Sequence, residues 1–92
     1  LTPALRARWG CDYDALSARN PRLVVVSVSC HGGTGPLANE PGAGALAEAF
    51  SGFAHLNGEA GGPPILPSFP LGDALTGFSG TIGALLACYA RD

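Results

Sequence analysis

Residues 70–83 read Pro-Leu-Gly-Asp-Ala-Leu-Thr-Gly-Phe-Ser-Gly-Thr-Ile-Gly, and the rest of the 92-residue sequence is best understood around them. The proline closes the preceding segment, and an apolar helix rich in small residues is expected to begin immediately after Asp73. A carboxylate there can accept hydrogen bonds from the unpaired N–H groups of the first turn, and the helix dipole favours its negative charge. Asp73 is therefore either a structural N-cap or an exposed nucleophile, and spacing alone favours the cap.

The helix behind Asp73 carries two stripes of different character. Gly77, Gly80 and Gly83 recur every third residue. Each glycine weakens a helix by about 1 kcal/mol relative to alanine, so we expect another backbone to pack closely against them. The second stripe is apolar and consists of Leu75, Phe78, Ile82, Leu85, Leu86 and Tyr89.

The composition predicts a surface that other protein covers. Apolar residues make up 47% of the chain and charged residues only 13%, whereas a free-standing soluble domain usually carries about a quarter charged residues. We therefore expect residues 1–92 to be a fragment of a larger domain. A net charge of −2 offers no basic stripe for nucleic acid. The longest apolar stretch, residues 82–90, is too short to predict a membrane span.

The cysteines predict a reducing environment. Cys11, Cys30 and Cys88 are odd in number and lack Cys-x-x-Cys spacing, so we expect buried free thiols in a cytoplasmic protein. A metal site at Cys30 and His31 would need two further ligands that no spacing supplies, so no metal site is expected.

The first third of the chain predicts two short helices and one strand. Residues 1–9 favour a helix that ends near Gly10, and Asp12 is a candidate N-cap for a helix over residues 13–19. Residues 22–30 read Arg-Leu-Val-Val-Val-Ser-Val-Ser-Cys, the clearest strand pattern in the chain. Such a nearly continuous apolar run is typical of a strand buried on both faces of a parallel sheet. One strand cannot make a sheet, so the other strands must lie outside this chain.

The middle of the chain predicts a glycine-rich turn, a helix and a long loop. Residues 31–36 lack both the Gly-x-Gly-x-x-Gly spacing of a dinucleotide site and the Lys-Ser/Thr of a P-loop. Apolar periodicity predicts a helix over residues 43–53, within which Glu48 is by default a solvated side chain. Residues 58–70 are predicted to be loop, with a brief strand pairing possible at residues 65–66.

Several motifs occur together in a familiar order and spacing. They are residues 13–24 (Tyr-Asp-Ala-Leu-Ser-Ala-Arg-Asn-Pro-Arg-Leu-Val) with 27–29, 33–36 (Gly-Thr-Gly-Pro), 47–52 (Ala-Glu-Ala-Phe-Ser-Gly), 58–59 with 62–64, and 71–73 (Leu-Gly-Asp). Together they resemble the family III CoA-transferases, the group that includes formyl-CoA transferase, carnitine CoA-transferase and α-methylacyl-CoA racemase. The resemblance extends from about residue 10 to residue 92 and covers only part of a family member.

The resemblance implies a fold and an activity. The fold would be α/β, with residues 1–92 forming part of a Rossmann-like large domain in an interlocked homodimer. Asp73 would be the nucleophile that attacks an acyl-CoA thioester, and a free carboxylic acid would finally accept the CoA. Coenzyme A would be part of the substrate, with no permanently bound cofactor, and neither nucleic acid nor membrane would be a partner.

Two residues depart from the family pattern and leave alternatives open. Family members commonly carry Tyr-Asp or, in racemases, His-Asp where this sequence has Ala43 and Gly44. Ala43 cannot move a proton, which argues against a 2-methylacyl-CoA racemase with Asp73 as partner base. Gly44 removes an acidic side chain, which favours a second alternative, a degenerate non-catalytic subunit.

Overall fold

The computed structural model describes all 92 residues and contains five helices and no strand. The molecule is elongated, with extents of 54 × 29 × 19 Å. The helices are α1 (Pro3–Arg8), α2 (Tyr13–Arg19), α3 (Gly44–Phe50), α4 (Phe53–Leu56) and α5 (Leu71–Arg91).

The two N-terminal helices have the boundaries that local capping dictates. The Asp12 carboxylate accepts a hydrogen bond from the Ala15 N–H at 3.0 Å, so its predicted role as the N-cap of α2 is confirmed. Thr2 caps α1 through its hydroxyl, and Pro3 occupies the first helical position, where its missing N–H costs nothing. Gly10, with φ of 64°, follows the end of α1.

The strand predicted over residues 22–30 does not form in this chain. Residues 23–29 have no regular secondary structure, and the backbone of residues 24–30 makes no backbone–backbone hydrogen bond. The physical reason is that a strand exists only as part of a ladder, and no other segment here supplies a partner edge. The run lies instead along α5, where Val26 approaches Gly80.

The helix predicted over residues 43–53 is divided into α3 and α4. Gly52 adopts a left-handed conformation, with φ of 84°, directly after Ser51 at the end of α3. Glycine is the residue that takes this conformation without a steric penalty, so it ends one helix and turns the chain into the next. Ile65 donates one hydrogen bond to the Ala54 carbonyl at 2.9 Å, but no strand pairing forms there.

The longest helix, α5, begins at Leu71, three residues earlier than the sequence predicts. Its apolar stripe is exposed, and Ala38 and Ala54 are the only buried hydrophobic residues in the chain. The glycine stripe meets no second backbone: an added Cβ at Gly80 would touch the Val26 side chain at 3.2 Å, and Gly77 and Gly83 face open space.

By length and composition α5 could cross a membrane, with 21 residues and a mean hydropathy of 1.3. The helix is longer than the apolar stretch 82–90 on which the prediction against a membrane span rests. Core helices of soluble proteins have the same length and composition, so this single helix is weak evidence for a membrane span.

The cysteines are free, but none of them is buried. Cys11 is exposed, and Cys30 and Cys88 are partly exposed. The prediction of buried thiols is therefore wrong, since the chain has too small a core to enclose them.

Candidate functional site

Asp73 lies in the first turn of α5 but does not cap it. Pro70 is the N-cap residue, and no side chain of the helix's own N-terminus bonds to the first turn. Asp73 is the third helical residue, and it is exposed. The predicted cap geometry is thus wrong in detail. The carboxylate still lies at the positive end of a 21-residue helix, where the dipole favours negative charge.

The N-terminus of α3 packs directly against Asp73. Gly44 is the first residue of α3 and is buried. A Cβ added to Gly44 would lie 2.8 Å from Oδ1 of Asp73 and 3.1 Å from its backbone nitrogen. A Cβ on Gly72 would lie 3.1 Å from the Gly44 carbonyl oxygen. Two glycines therefore allow the first turns of α3 and α5 to approach so closely that a Cβ at either position would force its neighbours to shift.

Gly44 consequently has a packing role in this chain. The sequence alone presents it as an acidic side chain lost beside the nucleophile. In the structure the Asp73 carboxylate fills the space where a side chain at residue 44 would begin, and it packs against the bare Cα of Gly44. The glycine is explained by close approach, without recourse to lost function.

Glu48 accepts a hydrogen bond from the first turn of α5, which no side chain at the N-terminus of that helix caps. Its carboxylate Oε1 accepts the Gly72 N–H at 2.8 Å, across 24 residues of sequence. Glu48 is only 6% exposed, so the expectation of a solvated side chain is wrong. One signal in the sequence could have found it: Glu48 follows Gly44 by one helical turn, and residues at i and i+4 share a helix face.

Asp73 borders two clefts. One, of about 220 Å³, lies between α3, the start of α5 and the end of the irregular run at Ser29 and Cys30. The other, of about 310 Å³, lies between α3 and residues 66–70, and Glu48 lines it together with Asp73. An exposed carboxylate between two clefts can be approached by different groups from different sides.

The backbone around Ala43 is held by Cys30. The Cys30 thiol donates to the Ala43 carbonyl at 3.6 Å, and a Cβ on Gly42 would lie 2.6 Å from the Cys30 sulfur. Ala43 lines both clefts with Asp73 but carries only a methyl group. The acid or base that a racemase would need opposite Asp73 is therefore missing from this position.

Other residues considered from the sequence line neither of the two clefts. His31 makes an edge-to-face contact with Phe50, with ring centroids 5.9 Å apart, which is a structural role. His55 is in the last turn of α4. The turn at residues 33–36 lines neither cleft.

The clearest charge cluster is at the far end of α5. Arg91 donates to the Arg22 carbonyl and to the Asp92 carboxylate, which Arg22 also contacts. Hydrogen bonding from Arg91 lowers the pKa of Asp92 from its usual value, and the same interaction raises the pKa of Arg91. These groups fasten the start of the run, at Arg22, to the C-terminal end of α5, and none of them lines either cleft.

Comparison with known proteins gives one consistent result. The family model described as CoA-transferase family III matches residues 1–92. The chain is 42% identical over 91 residues, 98% of its length, to the succinyl-CoA–L-malate CoA-transferase beta subunit of Chloroflexus aurantiacus. It is 35% identical over 71 residues to the succinate–glutarate CoA-transferase of Agrobacterium fabrum, and 36% identical over 91 residues to the acetyl-CoA:oxalate CoA-transferase of Acetobacter aceti.

These alignments cover 77% and 98% of the chain for the Agrobacterium and Acetobacter proteins. The chain spans about a fifth of the length of the curated relatives it matches, with 22%, 18% and 23% of those three proteins covered. No solved structure is significantly similar to it.

Proposed function

Since the chain belongs to CoA-transferase family III, we propose that the protein containing it transfers coenzyme A from an acyl-CoA to a free carboxylic acid, with Asp73 as the nucleophile. The observation that carries the proposal is the placement of Asp73: an exposed carboxylate in the first turn of α5, packed against Gly44 and open to two clefts. The relatives' names, all of which describe CoA-transferases, support the reaction class.

The reaction proceeds through covalent intermediates on Asp73. The carboxylate attacks the thioester carbonyl, which forms a mixed anhydride and releases CoA thiolate. The thiolate then attacks the aspartyl carbonyl, which gives an aspartyl-CoA thioester and the free donor acid. The acceptor carboxylate attacks that thioester to form a second anhydride and release thiolate again. Attack of the thiolate on the acceptor's acyl carbon yields the new acyl-CoA and regenerates Asp73. Each step exchanges one acyl bond for another, so no oxidant or metal is required.

The first turn of α5 favours this chemistry. Each attack on a carbonyl carbon places negative charge on the carbonyl oxygen, and the N-terminal end of a helix stabilises developing negative charge. The two clefts provide separate approaches, which suits a carboxylate that meets a thioester and an acid in alternation.

The architecture of the whole protein is part of the same proposal. Residues 1–92 would form a piece of its large, Rossmann-like domain, in which residues 22–30 pair with strands from elsewhere. The exposed apolar stripe of α5 supports cover by further protein, as in an interlocked homodimer. Three free cysteines support a cytoplasmic location. Acyl-CoA would enter only as substrate, with no permanently bound cofactor.

The test uses the full-length protein with succinyl-CoA as donor, since several relatives, among them the Chloroflexus aurantiacus beta subunit, are named for that substrate. Hydroxylamine is added during turnover, and mass spectrometry locates the resulting hydroxamate. We expect modification at Asp73 and loss of transfer in Asp73→Asn. The matched control is Asp14→Asn, another aspartate in the first turn of a helix, which should retain activity. Sustained turnover with an unmodified Asp73 would refute the mechanism.

A racemase would give a different signal. It would exchange the α-hydrogen of a 2-methylacyl-CoA for deuterium from solvent in the absence of any acceptor acid. We expect no such exchange, because Ala43 offers no proton-transfer group beside Asp73.

A further inference from the structure

We propose that Glu48 is a positioning residue for Asp73: its buried carboxylate holds the first turn of α5 at the Gly72 N–H and thereby fixes where the nucleophile lies. This inference rests on the proposed function, since it assigns Glu48 a role in the reaction of Asp73.

The first turn of α5 depends on an acceptor from outside the helix. The first N–H groups of any helix have no partner within it, and first turns fray when those groups are not satisfied. The N-cap residue of α5 is Pro70, whose side chain has no oxygen to offer. Glu48 provides that acceptor from α3, at 2.8 Å from the Gly72 nitrogen.

Burial makes this hydrogen bond a strong constraint. A carboxylate that is only 6% exposed is costly unless it is hydrogen-bonded, and a bond from N–H to a carboxylate is stronger than one between neutral groups. Glu48 therefore has few alternative positions. Its backbone is fixed as well, because the Ser51 hydroxyl donates to the Glu48 carbonyl at 3.1 Å.

Two contacts of α3, one at Gly72 and one at the Asp73 carboxylate, together limit the position of Asp73. Gly72, which Glu48 holds, directly precedes Asp73, and Gly44, one turn before Glu48 on α3, packs against the Asp73 carboxylate. The same helix thus fixes the backbone on one side of the nucleophile and the position of its side chain on the other. No hydrogen bond joins Glu48 to Asp73 itself, so Glu48 acts through Gly72.

The experiment uses two conservative variants of the full-length protein to separate the effect of the side-chain length of Glu48 from the effect of its negative charge. Glu48→Gln keeps the length of the side chain and an oxygen that accepts the same hydrogen bond, but it removes the charge. Glu48→Asp keeps the charge but withdraws the carboxylate by one carbon. Glu40→Asp, at an exposed glutamate outside both clefts, is the control for this shortening. The readouts are the rate of hydroxylamine-trapped adduct formation at Asp73 from succinyl-CoA, the KM for succinyl-CoA and the melting temperature.

Positioning predicts a specific order of effects. Glu48→Asp should slow adduct formation by roughly 10- to 100-fold, the range expected when a hydrogen bond to a charged group is lost and a reacting group is misplaced. Glu48→Gln should slow it by less than about fivefold, since the acceptor remains. In both variants KM should change by less than about threefold, because the effect falls on the attacking group and not on substrate binding. Glu40→Asp should match the wild type.

The outcomes distinguish failure of the positioning role of Glu48 from failure of the proposed nucleophile, Asp73. If Glu48→Asp forms the adduct as fast as the wild type, or if Glu48→Gln is the slower variant, the positioning role is refuted while Asp73 remains the nucleophile. If either variant loses activity only in proportion to a fall in the folded fraction at the assay temperature, the role is structural and the proposal is also refuted. If the wild type turns over without any adduct at Asp73, the proposed function itself is refuted.

Discussion

Replacing Gly44 by alanine tests the close approach of α3 to Asp73. The substitution adds one carbon where α3 meets Asp73. That Cβ would lie 2.8 Å from Oδ1, 3.0 Å from Cγ and 3.1 Å from the backbone nitrogen of Asp73. Because the nitrogen is a backbone atom, rotation of the carboxylate relieves only part of the overlap.

The size of the effect follows from these distances. To reach an ordinary contact near 3.5 Å, the Oδ1 atom must move by about 0.7 Å and the backbone by about half as much. A misplacement of 1 Å can cost about 100-fold in rate, so we expect kcat/KM to fall by roughly 10- to 20-fold in Gly44→Ala. Stability should change little, within about 1 kcal/mol, because alanine's better helix propensity offsets part of the overpacking strain.

The assay compares Gly44→Ala with Ala49→Ser in the full-length protein. Ala49→Ser also adds one atom to α3, at an exposed position away from both clefts. Transfer from succinyl-CoA and thermal melting are measured for both variants. Loss of transfer without loss of stability in Gly44→Ala alone supports the packing role. Wild-type activity in Gly44→Ala would show that the carboxylate does not need the bare Cα and would refute the reasoning.

Two further predictions concern stability and charge. The 92-residue segment produced alone should be poorly soluble and melt without a cooperative transition, because only two of its apolar residues are buried; calorimetry showing a sharp transition of a monomer would contradict this. The lowered pKa of Asp92 means that its ion pairs with Arg91 and Arg22 contribute stability at neutral pH that is lost as the pH falls through that lowered pKa. An NMR titration of the intact protein should place the Asp92 midpoint below its usual value and move it upward in Arg22→Ala.

Local sequence predicted most of what local hydrogen bonding decides. The helix at residues 13–19 and its Asp12 cap are correct because the cap bond spans only three residues. The long helix behind Asp73 is also correct, because helical hydrogen bonds join residues only four apart, although it begins at Leu71 and Asp73 is not its cap. The apolar pattern does not predict the break at Gly52, because the helical spacing of apolar residues continues past the glycine at which the chain turns.

The order of motifs identified the family, and the comparison confirms that identification over residues 1–92. The same resemblance does not settle which atoms surround Asp73. The strand expected at residues 22–30 shows why: a strand needs a partner edge, and whether one is present is a property of the assembled fold.

What the sequence by itself determined is the family, and through that resemblance it singles out Asp73 as the candidate nucleophile, because both inferences rest on short runs of consecutive residues. What only the tertiary structure decided is how Asp73 is held. Gly44 makes room for its carboxylate and Glu48 secures the turn before it, both from a helix more than twenty residues upstream. Contacts of that range depend on how α3 and α5 pack, and the pattern within either helix does not contain them.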